Sequence, residues 1–204
     1  MPVPLKPHAP LWQRLVDHLL FPVNMWLGEE GSRRLGLTPI DHERVRAALP
    51  YCRGLLLDVG CGNNLLVRSH GAGFGVDVHP YVEISARCDS SRLPFKAGSF
   101  DTVALLACLN HMVRREETLA ECHRVLRRDG RLLVTMISPW VGCVSHRIRR
   151  RHDPDQLERG MAHEEAWGLA PDEVIRLLER SRFELLLHRR FMWGLNSIFV
   201  ARSL

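Results

Sequence analysis

Short apolar runs alternate with polar-faced segments and turn residues between positions 53 and 137. The run Leu55–Val59, followed by Gly-Cys-Gly, has the pattern of a buried parallel strand. Arg114–Arg128 has the spacing of an amphipathic helix. This alternation of strands and helices predicts right-handed crossovers and a mostly parallel sheet. The five strands predicted in this region are Leu55–Val59, Phe74–Val78, Ala86–Cys88, Asp101–Leu106 and Arg131–Ile137.

Two more strands are predicted near the carboxyl terminus. Phe183–Phe191 and Leu195–Ala201 are joined by Met192-Trp193-Gly194, which indicates an antiparallel hairpin at the sheet edge. A helix that opens at Pro171-Asp172 and runs to about Arg182 precedes the hairpin. The expected fold is therefore α/β, with a mostly parallel sheet of seven strands and a C-terminal antiparallel hairpin.

The first fifty residues predict a helical N-terminal cap. An apolar stripe marks a first helix that ends at Pro22, and a second helix runs from about Ile40 to Leu49. The stripe could lie on a membrane or line a hydrophobic acceptor pocket, although packing on the core is the commoner arrangement. Its members are Leu11, Trp12, Leu15, Val16, Leu19 and Leu20.

A length of 204 residues predicts one domain rather than two. We divide it into the cap (1–50), a core (51–137), an irregular second cap on the acceptor side (138–170), and a terminal helix with its hairpin (171–204). The longest apolar run, Val103–Leu109, is too short to cross a bilayer. The first ten residues hold four prolines and do not resemble a signal peptide, so a cytoplasmic location is expected.

Charge and cysteine content narrow the function only a little. The formal net charge is +5, and all but two of the 28 basic residues are arginine, a skew that suggests genome composition rather than a nucleic-acid site. None of the six cysteines forms a C-x-x-C pair, which gives no indication of a zinc site and favours reduced, buried thiols. No metal is expected.

The segment Asp58-Val59-Gly60-Cys61-Gly62 is the most informative stretch. A glycine-rich turn after a first strand lets a ligand approach the backbone closely. Asp77 follows Asp58 by nineteen residues, close to the spacing of the acid that binds ribose hydroxyls. A dinucleotide dehydrogenase would need a third glycine near Leu65 and an apolar residue at position 58, and this chain has neither.

From about residue 38 to 137 the chain resembles the class I S-adenosylmethionine-dependent methyltransferases, in the branch called type 11. Many members of that branch methylate small molecules or act in quinone pathways. The resemblance implies a Rossmann-like fold, S-adenosylmethionine as cofactor, S-adenosylhomocysteine as product, and a reaction without a metal. Besides the first loop, it is carried by Cys88–Phe95, Ser99–Asp101, Leu109–Met112 and Glu121–Arg131.

The resemblance also implies roles for single residues. The backbone of Gly60, Cys61 and Gly62 would lie against the methionine moiety, and Asp58 would support that loop and the cofactor ammonium. The remaining cofactor contacts would be Asp77 with the ribose, Asp89 with the adenine amino group, Ser90 and Val78 beside the ring, and Ala107 with Cys108 on the methyl-donor side.

Two departures from the family pattern stand out. Only about a dozen residues separate Asp77 from Asp89, too few for a crossover helix plus a strand. Asn64 stands where relatives usually have a third loop glycine.

Acceptor chemistry is less constrained by the sequence. His111 follows the fourth strand and could be a general base, or it could cap or pack the following helix. Arginines of the first cap could reach the cofactor carboxylate, as in some relatives, namely Arg33, Arg34 and Arg44. The acceptor contacts predicted, with solvent-exposed or packed positions as the alternative, are His146, Arg147 and His163 in the second cap and Trp193 and Asn196 in the hairpin.

The expected reaction is O- or C-methylation of a small molecule, either anionic or hydrophobic. The Asn/Asp-Pro-Pro-aromatic loop of many base-methylating enzymes is replaced here by Ala107–His111, so a nucleic-acid partner is not expected. Methylation of RNA or protein and cofactor binding without catalysis are the alternatives. Peripheral membrane contact stays open, and the sequence gives no oligomeric state.

Overall fold

In the computed structural model, seven strands form one sheet in the order β3-β2-β1-β4-β5-β7-β6. The structure describes residues 10–24, 27, 29–140, 143 and 166–204. The strands are β1 (Leu56–Val59), β2 (Gly73–Asp77), β3 (Ala86–Arg87), β4 (Phe100–Leu106), β5 (Leu126–Ile137), β6 (Phe183–Phe191) and β7 (Asn196–Ser203). The helices are α1 (Leu11–Leu19), α2 (Phe21–Asn24), α3 (Glu29–Arg34), α4 (Ile40–Ala48), α5 (Leu65–His70), α6 (Arg115–Val125) and α7 (Pro171–Arg180), with 3-10 turns at Leu49–Tyr51 and Leu109–His111.

The first five strands are parallel, and β7 runs antiparallel to both of its neighbours, β5 and β6. The predicted fold class is confirmed, including the terminal hairpin. The chain moves from β1 outward to β2 and β3, then returns to the other side of β1 to form β4. In sheets of this type, ligands bind at the carboxyl ends of the strands where that reversal occurs.

Helices cover both faces of the sheet. One apolar core, which includes Leu119 of α6 and Val174 of α7, packs against the face that carries Leu57. The other core, which includes Ala48 of α4 and Leu66 of α5, packs against the face that carries Leu56. Because successive strand residues point to opposite faces, a run of apolar residues such as Leu56-Leu57 supplies both cores.

The junction between α6 and β5 differs from the prediction. The predicted helix reached Arg128, but α6 ends at Val125 and β5 already begins at Leu126. Leu126 pairs with Phe100 of β4, and the register shifts before pairing resumes at Arg131. Leu126 fits the apolar spacing of the helix, but its pairing with Phe100 makes it part of the strand.

The connection between β2 and β3 is as short as the sequence indicated. No helix forms between Asp77 and Ala86, and β3 is only two residues long. This edge of the sheet is therefore a very short strand with no crossover helix before it.

The predicted N-terminal helices are present, but the apolar stripe of α1 does not pack on the core. Leu11, Trp12, Leu15 and Leu19 are exposed, whereas Asp17 is buried. The preferred expectation for this stripe was therefore wrong. Among the helices that the structure describes, none combines the length and the hydrophobicity needed to span a membrane.

Candidate cofactor and acceptor site

A cavity of about 910 Å³ opens at the carboxyl ends of β1, β2 and β4. Its walls come from the loops after these strands, from α4 and α5, and from the segment between β2 and β3. The predicted cofactor residues in the wall are Asp58, Gly60, Cys61, Gly62, Asp77, Val78, Ser90 and Ala107, together with the candidate base His111. A cavity of this volume can hold a cofactor and a small acceptor.

The loop after β1 is held by backbone hydrogen bonds to the neighbouring strand. The amides of Gly60 and Cys61 donate to the Val76 carbonyl at 2.8 and 3.1 Å. Gly60 has φ +71°, and a Cβ atom there would lie 2.9 Å from Cβ of Cys108. Glycine is therefore required at position 60 by both backbone conformation and space.

Asn64 occupies the position of the usual third loop glycine without distorting the loop. It adopts the left-handed conformation at φ 55°, which asparagine tolerates better than most residues, and it precedes α5. Its Nδ2 donates to the Glu83 carbonyl at 2.7 Å. A Cβ atom on Gly75 would lie only 2.0 Å from Oδ1 of Asn64. Asn64 thus ties the loop to the β2–β3 connection.

Asp58 is a buried carboxyl whose Oδ1 has no hydrogen-bond partner among the described atoms. Burial, and secondarily the charge of Asp77, raises the pKa of Asp58 to about 7. An uncompensated carboxylate in such a place is costly, and a cation at this end of the cavity would relieve the cost. The ammonium of a bound methionine moiety fits this requirement.

Asp77 uses each carboxylate oxygen once within the protein. Oδ2 accepts from the amide of Gly62 at 3.0 Å, and Oδ1 accepts from the amide of His79 at 2.9 Å. Each carboxylate oxygen can accept a second hydrogen bond. Asp77 therefore fixes the glycine loop and still has acceptor capacity for hydroxyl groups in the cavity.

The adenine side is less clearly formed. Val78 and Ser90 line the cavity, and Ser90 Oγ lies 3.0 Å from Oγ1 of Thr118. Asp89 is exposed outside the cavity wall, and its Oδ1 accepts from both the amide and the hydroxyl of Ser91 at 2.9 Å. The hydrogen bond from the backbone amide of Ser91 is the main cause that lowers the pKa of Asp89. Its contact with an adenine amino group stays a prediction.

The methyl-donor side is built by the loop after β4. Ala107 has φ +54°, and its amide donates to the Thr135 carbonyl at 3.1 Å. Sγ of Cys108 lies 3.1 Å from the Val59 carbonyl, which joins this loop to the end of β1. His111 ends the following 3-10 turn and lines the cavity.

Several cavity residues are basic. Three arginines of the first cap were proposed from the sequence, and two of them, Arg33 and Arg44, line the cavity. Arg34 instead pairs with Glu30 at the surface. His42 and Arg68 also line the cavity, and no sequence pattern indicated them because the fold alone brings α4 and α5 to this edge.

Two of the five acceptor residues predicted from the sequence are described by the structure, and neither lines this cavity. Trp193 and Asn196 lie in the hairpin and outside the cavity wall. Asn196 is buried at the start of β7, where it pairs with Ile137. His146, Arg147 and His163 fall outside the described residues.

Three cysteine thiols also line the cavity. Cys61, Cys88 and Cys108 line it, and burial raises the pKa of the Cys61 and Cys88 thiols. These two thiols are therefore protonated and weakly nucleophilic at neutral pH. Within the described ranges, no three His, Cys, Asp or Glu side chains are grouped as metal ligands.

Comparison with known proteins decides the family. Residues 57–134, which include the loop after β1 and the strands on both sides of it, match the family model described as a methyltransferase domain, of type 11. The chain contains a class I methyltransferase domain of the type 11 branch. The resemblance inferred from the sequence motifs is thereby confirmed.

A curated relative of this methyltransferase domain is the ubiquinone/menaquinone biosynthesis C-methyltransferase of Campylobacter jejuni. It is 24% identical over 137 residues, 56% of this chain and 55% of the relative. This chain thus spans about half the length of the curated relatives it matches.

Solved structures share the fold of the methyltransferase domain. An S-adenosylmethionine-dependent methyltransferase of Methanosarcina mazei is 22% identical, with a TM-score of 0.56 over 82% of this chain and 98% of that one. The 1,6-didemethyltoxoflavin-N1-methyltransferase of Burkholderia thailandensis, solved with its acceptor and S-adenosylhomocysteine, is 18% identical, with a TM-score of 0.58 over 100% of this chain and 93% of that one.

Proposed function

We propose that this protein transfers the methyl group of S-adenosylmethionine to a small-molecule acceptor. The observation that carries the proposal is the buried Asp58, which lines the cavity beside the glycine loop and Asp77 and has one carboxyl oxygen without a hydrogen-bond partner among the described residues. This arrangement offers a negative group to the methionine end and hydrogen-bond acceptors to the ribose of such a cofactor.

The protein's own part in this reaction is mainly to bind and orient. The cofactor supplies the sulfonium methyl group and departs as S-adenosylhomocysteine. Asp58 and the Gly60–Gly62 backbone hold the methionine moiety, and Asp77 holds the ribose. Ala107 and Cys108 close the donor side and exclude water, so that the acceptor atom is held in line with the methyl group.

O- or C-methylation is the reaction that we favour. An acceptor that loses a proton as it is methylated benefits from a general base, and His111 is the histidine placed on the donor side of the cavity. The Campylobacter jejuni relative is named a C-methyltransferase, which supports carbon as the acceptor atom. Arg33 and His42 in the wall favour an acceptor or cofactor end that carries negative charge, whereas the charge of Arg44 is paired with Asp41.

Calorimetric titration with S-adenosylhomocysteine tests the cofactor assignment. We expect a single binding event and a higher melting temperature, since a ligand at 100 times its Kd stabilises the folded state by about 2.7 kcal/mol. Binding of a nicotinamide dinucleotide in its place would overturn the assignment.

Turnover is tested separately, by release of S-adenosylhomocysteine with a panel of phenolic, quinone-like and carboxylate acceptors. We expect release with at least one of these acceptors and a lower rate in the His111→Gln variant. Cofactor binding without release across the panel would instead support a non-catalytic binding protein.

A further inference from the structure

Helix α1 has its apolar side toward solvent. The exposed fractions of Leu11, Trp12, Leu15 and Leu19 are 77%, 63%, 63% and 70%, whereas that of Asp17 is 7%. At 100° per residue, Asp17 lies almost opposite the centre of the stripe formed by these four residues. A surface helix ordinarily has the reverse arrangement, with its apolar stripe against the core.

The polar side of α1 is what attaches it to the protein. Asp17 Oδ1 accepts from the amide of Thr38 at 2.8 Å, and Oδ2 accepts from its hydroxyl at 2.6 Å. Nε2 of Gln13 donates to the Gly36 carbonyl at 2.8 Å. Because these bonds satisfy the buried carboxylate, they fix the outward direction of the apolar face.

A second contact places this face at the same edge of the sheet as the cavity. Nε1 of Trp193 donates to the His18 carbonyl at 2.8 Å, and about half of the tryptophan stays exposed. The turn that carries Trp193 leads into Asn196, which pairs with Ile137 at the carboxyl end of β5. The apolar face and Trp193 therefore form a surface beside the carboxyl ends of the parallel strands.

In the two segments that form this surface, residues 10–24 and 188–196, the exposed charged side chains are positive. Arg14 on α1 and Arg189 and Arg190 beside the hairpin turn are exposed. Residues 188–196 hold no acidic residue, and Asp17, the acidic residue of segment 10–24, is buried. Exposed leucine and tryptophan flanked by arginine are typical of helices that lie in the interface of an anionic membrane.

We propose that the face formed by Leu11, Trp12, Leu15, Leu19 and Trp193 binds the surface of an anionic lipid bilayer, with the flanking arginines on the headgroups. In this position α1 lies parallel to the bilayer, and the carboxyl edge of the sheet faces the lipid. Membrane binding goes beyond methyl transfer and does not depend on it. When both occur, the cavity takes its acceptor at the lipid surface.

Co-sedimentation of the full chain with vesicles tests the proposal. We expect binding to mixed phosphatidylcholine–phosphatidylglycerol vesicles, weaker binding to phosphatidylcholine alone, and weaker binding in high salt, because salt screens the arginines. The Leu15→Glu/Leu19→Glu variant should bind about tenfold less or worse, and Arg189→Gln/Arg190→Gln should lose the preference for anionic vesicles.

The matched control is Leu186→Glu/Leu204→Glu, which adds the same charge at exposed leucines away from this face. It should bind vesicles as the wild type does. Circular dichroism and S-adenosylhomocysteine titration show which variants remain folded, and they report on the proposed function independently. Equal vesicle binding by both glutamate pairs would overturn the proposal, as would a wild-type dimer that becomes monomeric in Leu15→Glu/Leu19→Glu without any vesicle binding.

Discussion

Asp58 combines burial, an unpaired oxygen and a pKa raised to about 7 by burial. Such a group favours its neutral form in the ligand-free protein and its charged form when a cation lies beside it. The pKa of Asp58 in the folded protein lies above its ordinary value of 3.8, so ionisation of this buried carboxyl opposes folding. The free energy of unfolding of the ligand-free protein therefore falls as the pH rises above the ordinary value and through about 7.

Cofactor binding should have the opposite pH dependence. We expect the affinity for S-adenosylmethionine to rise as the pH passes upward through about 7, by up to about tenfold per pH unit below that value. Titration calorimetry in buffers of different ionisation enthalpy would measure the proton released on binding. Asp58→Asn is the control and should bind weakly with a flat pH profile. An affinity profile that is equally flat in the wild type would contradict this role.

Asp77 lies in the cavity wall, whereas Asp89 lies outside it, so variants of the two residues can be compared. Asp77→Ala should weaken S-adenosylhomocysteine binding by about 1–3 kcal/mol, since it removes both the ribose acceptor and the bond to Gly62. Asp89→Ala should cost less, because Asp89 is exposed and already bonded to Ser91. Calorimetric Kd values for the two variants test this expectation. A larger loss of affinity in Asp89→Ala than in Asp77→Ala would show that the ribose does not lie at Asp77.

At the scale of elements, the sequence predicted the strands best where apolar runs are bounded by turns. β1, β2 and β4 begin or end within one residue of their predicted bounds. The α6–β5 junction was misplaced because Leu126 fits a helical stripe equally well, and only its pairing with Phe100 decides its state. The direction of α1 could not be predicted either, since periodicity identifies a stripe and not what covers it.

The same contrast holds for the cavity. Gly60 and Asp77 belong to a local motif, so their spacing alone indicates their role. Asn64 and Arg68 both contact Glu83, which lies in another loop, and no local pattern of the sequence indicates such contacts.

The glycine loop gives a test of an element rather than of a single contact. Gly60→Ala should weaken cofactor binding strongly, because its Cβ atom would push Cys108 away from the end of β1. Gly98→Ala is the matched control, since it has a similar positive φ of 64° with open space around its Cβ position. Both variants should lose about 1 kcal/mol of stability to backbone strain, but only Gly60→Ala should lose affinity. Equal affinities by calorimetry would contradict the close packing of this loop.

At the scale of the whole molecule, helices α1 and α2 of the N-terminal cap are separable from the cavity. One interpretation of the sequence was that the apolar stripe of α1 lines an acceptor pocket, but no residue of α1 or α2 belongs to the described cavity wall. We therefore expect a protein that lacks residues 1–20 to bind S-adenosylhomocysteine nearly as tightly as the full chain and to turn over a water-soluble acceptor at a similar rate. A large loss of turnover on that acceptor would show instead that α1 contributes to the acceptor pocket.

The position of β7 has a consequence for biosynthesis. β7 is the last strand of the chain, yet it lies between β5 and β6 and pairs with both along most of its length. Until β7 has been synthesised, the long, apolar β5 has an open edge of unpaired backbone groups, the kind of edge that pairs with other chains. Folding of this sheet is therefore completed only after β7 has left the ribosome, and the nascent protein is prone to aggregation in the interval between the synthesis of β5 and that of β7.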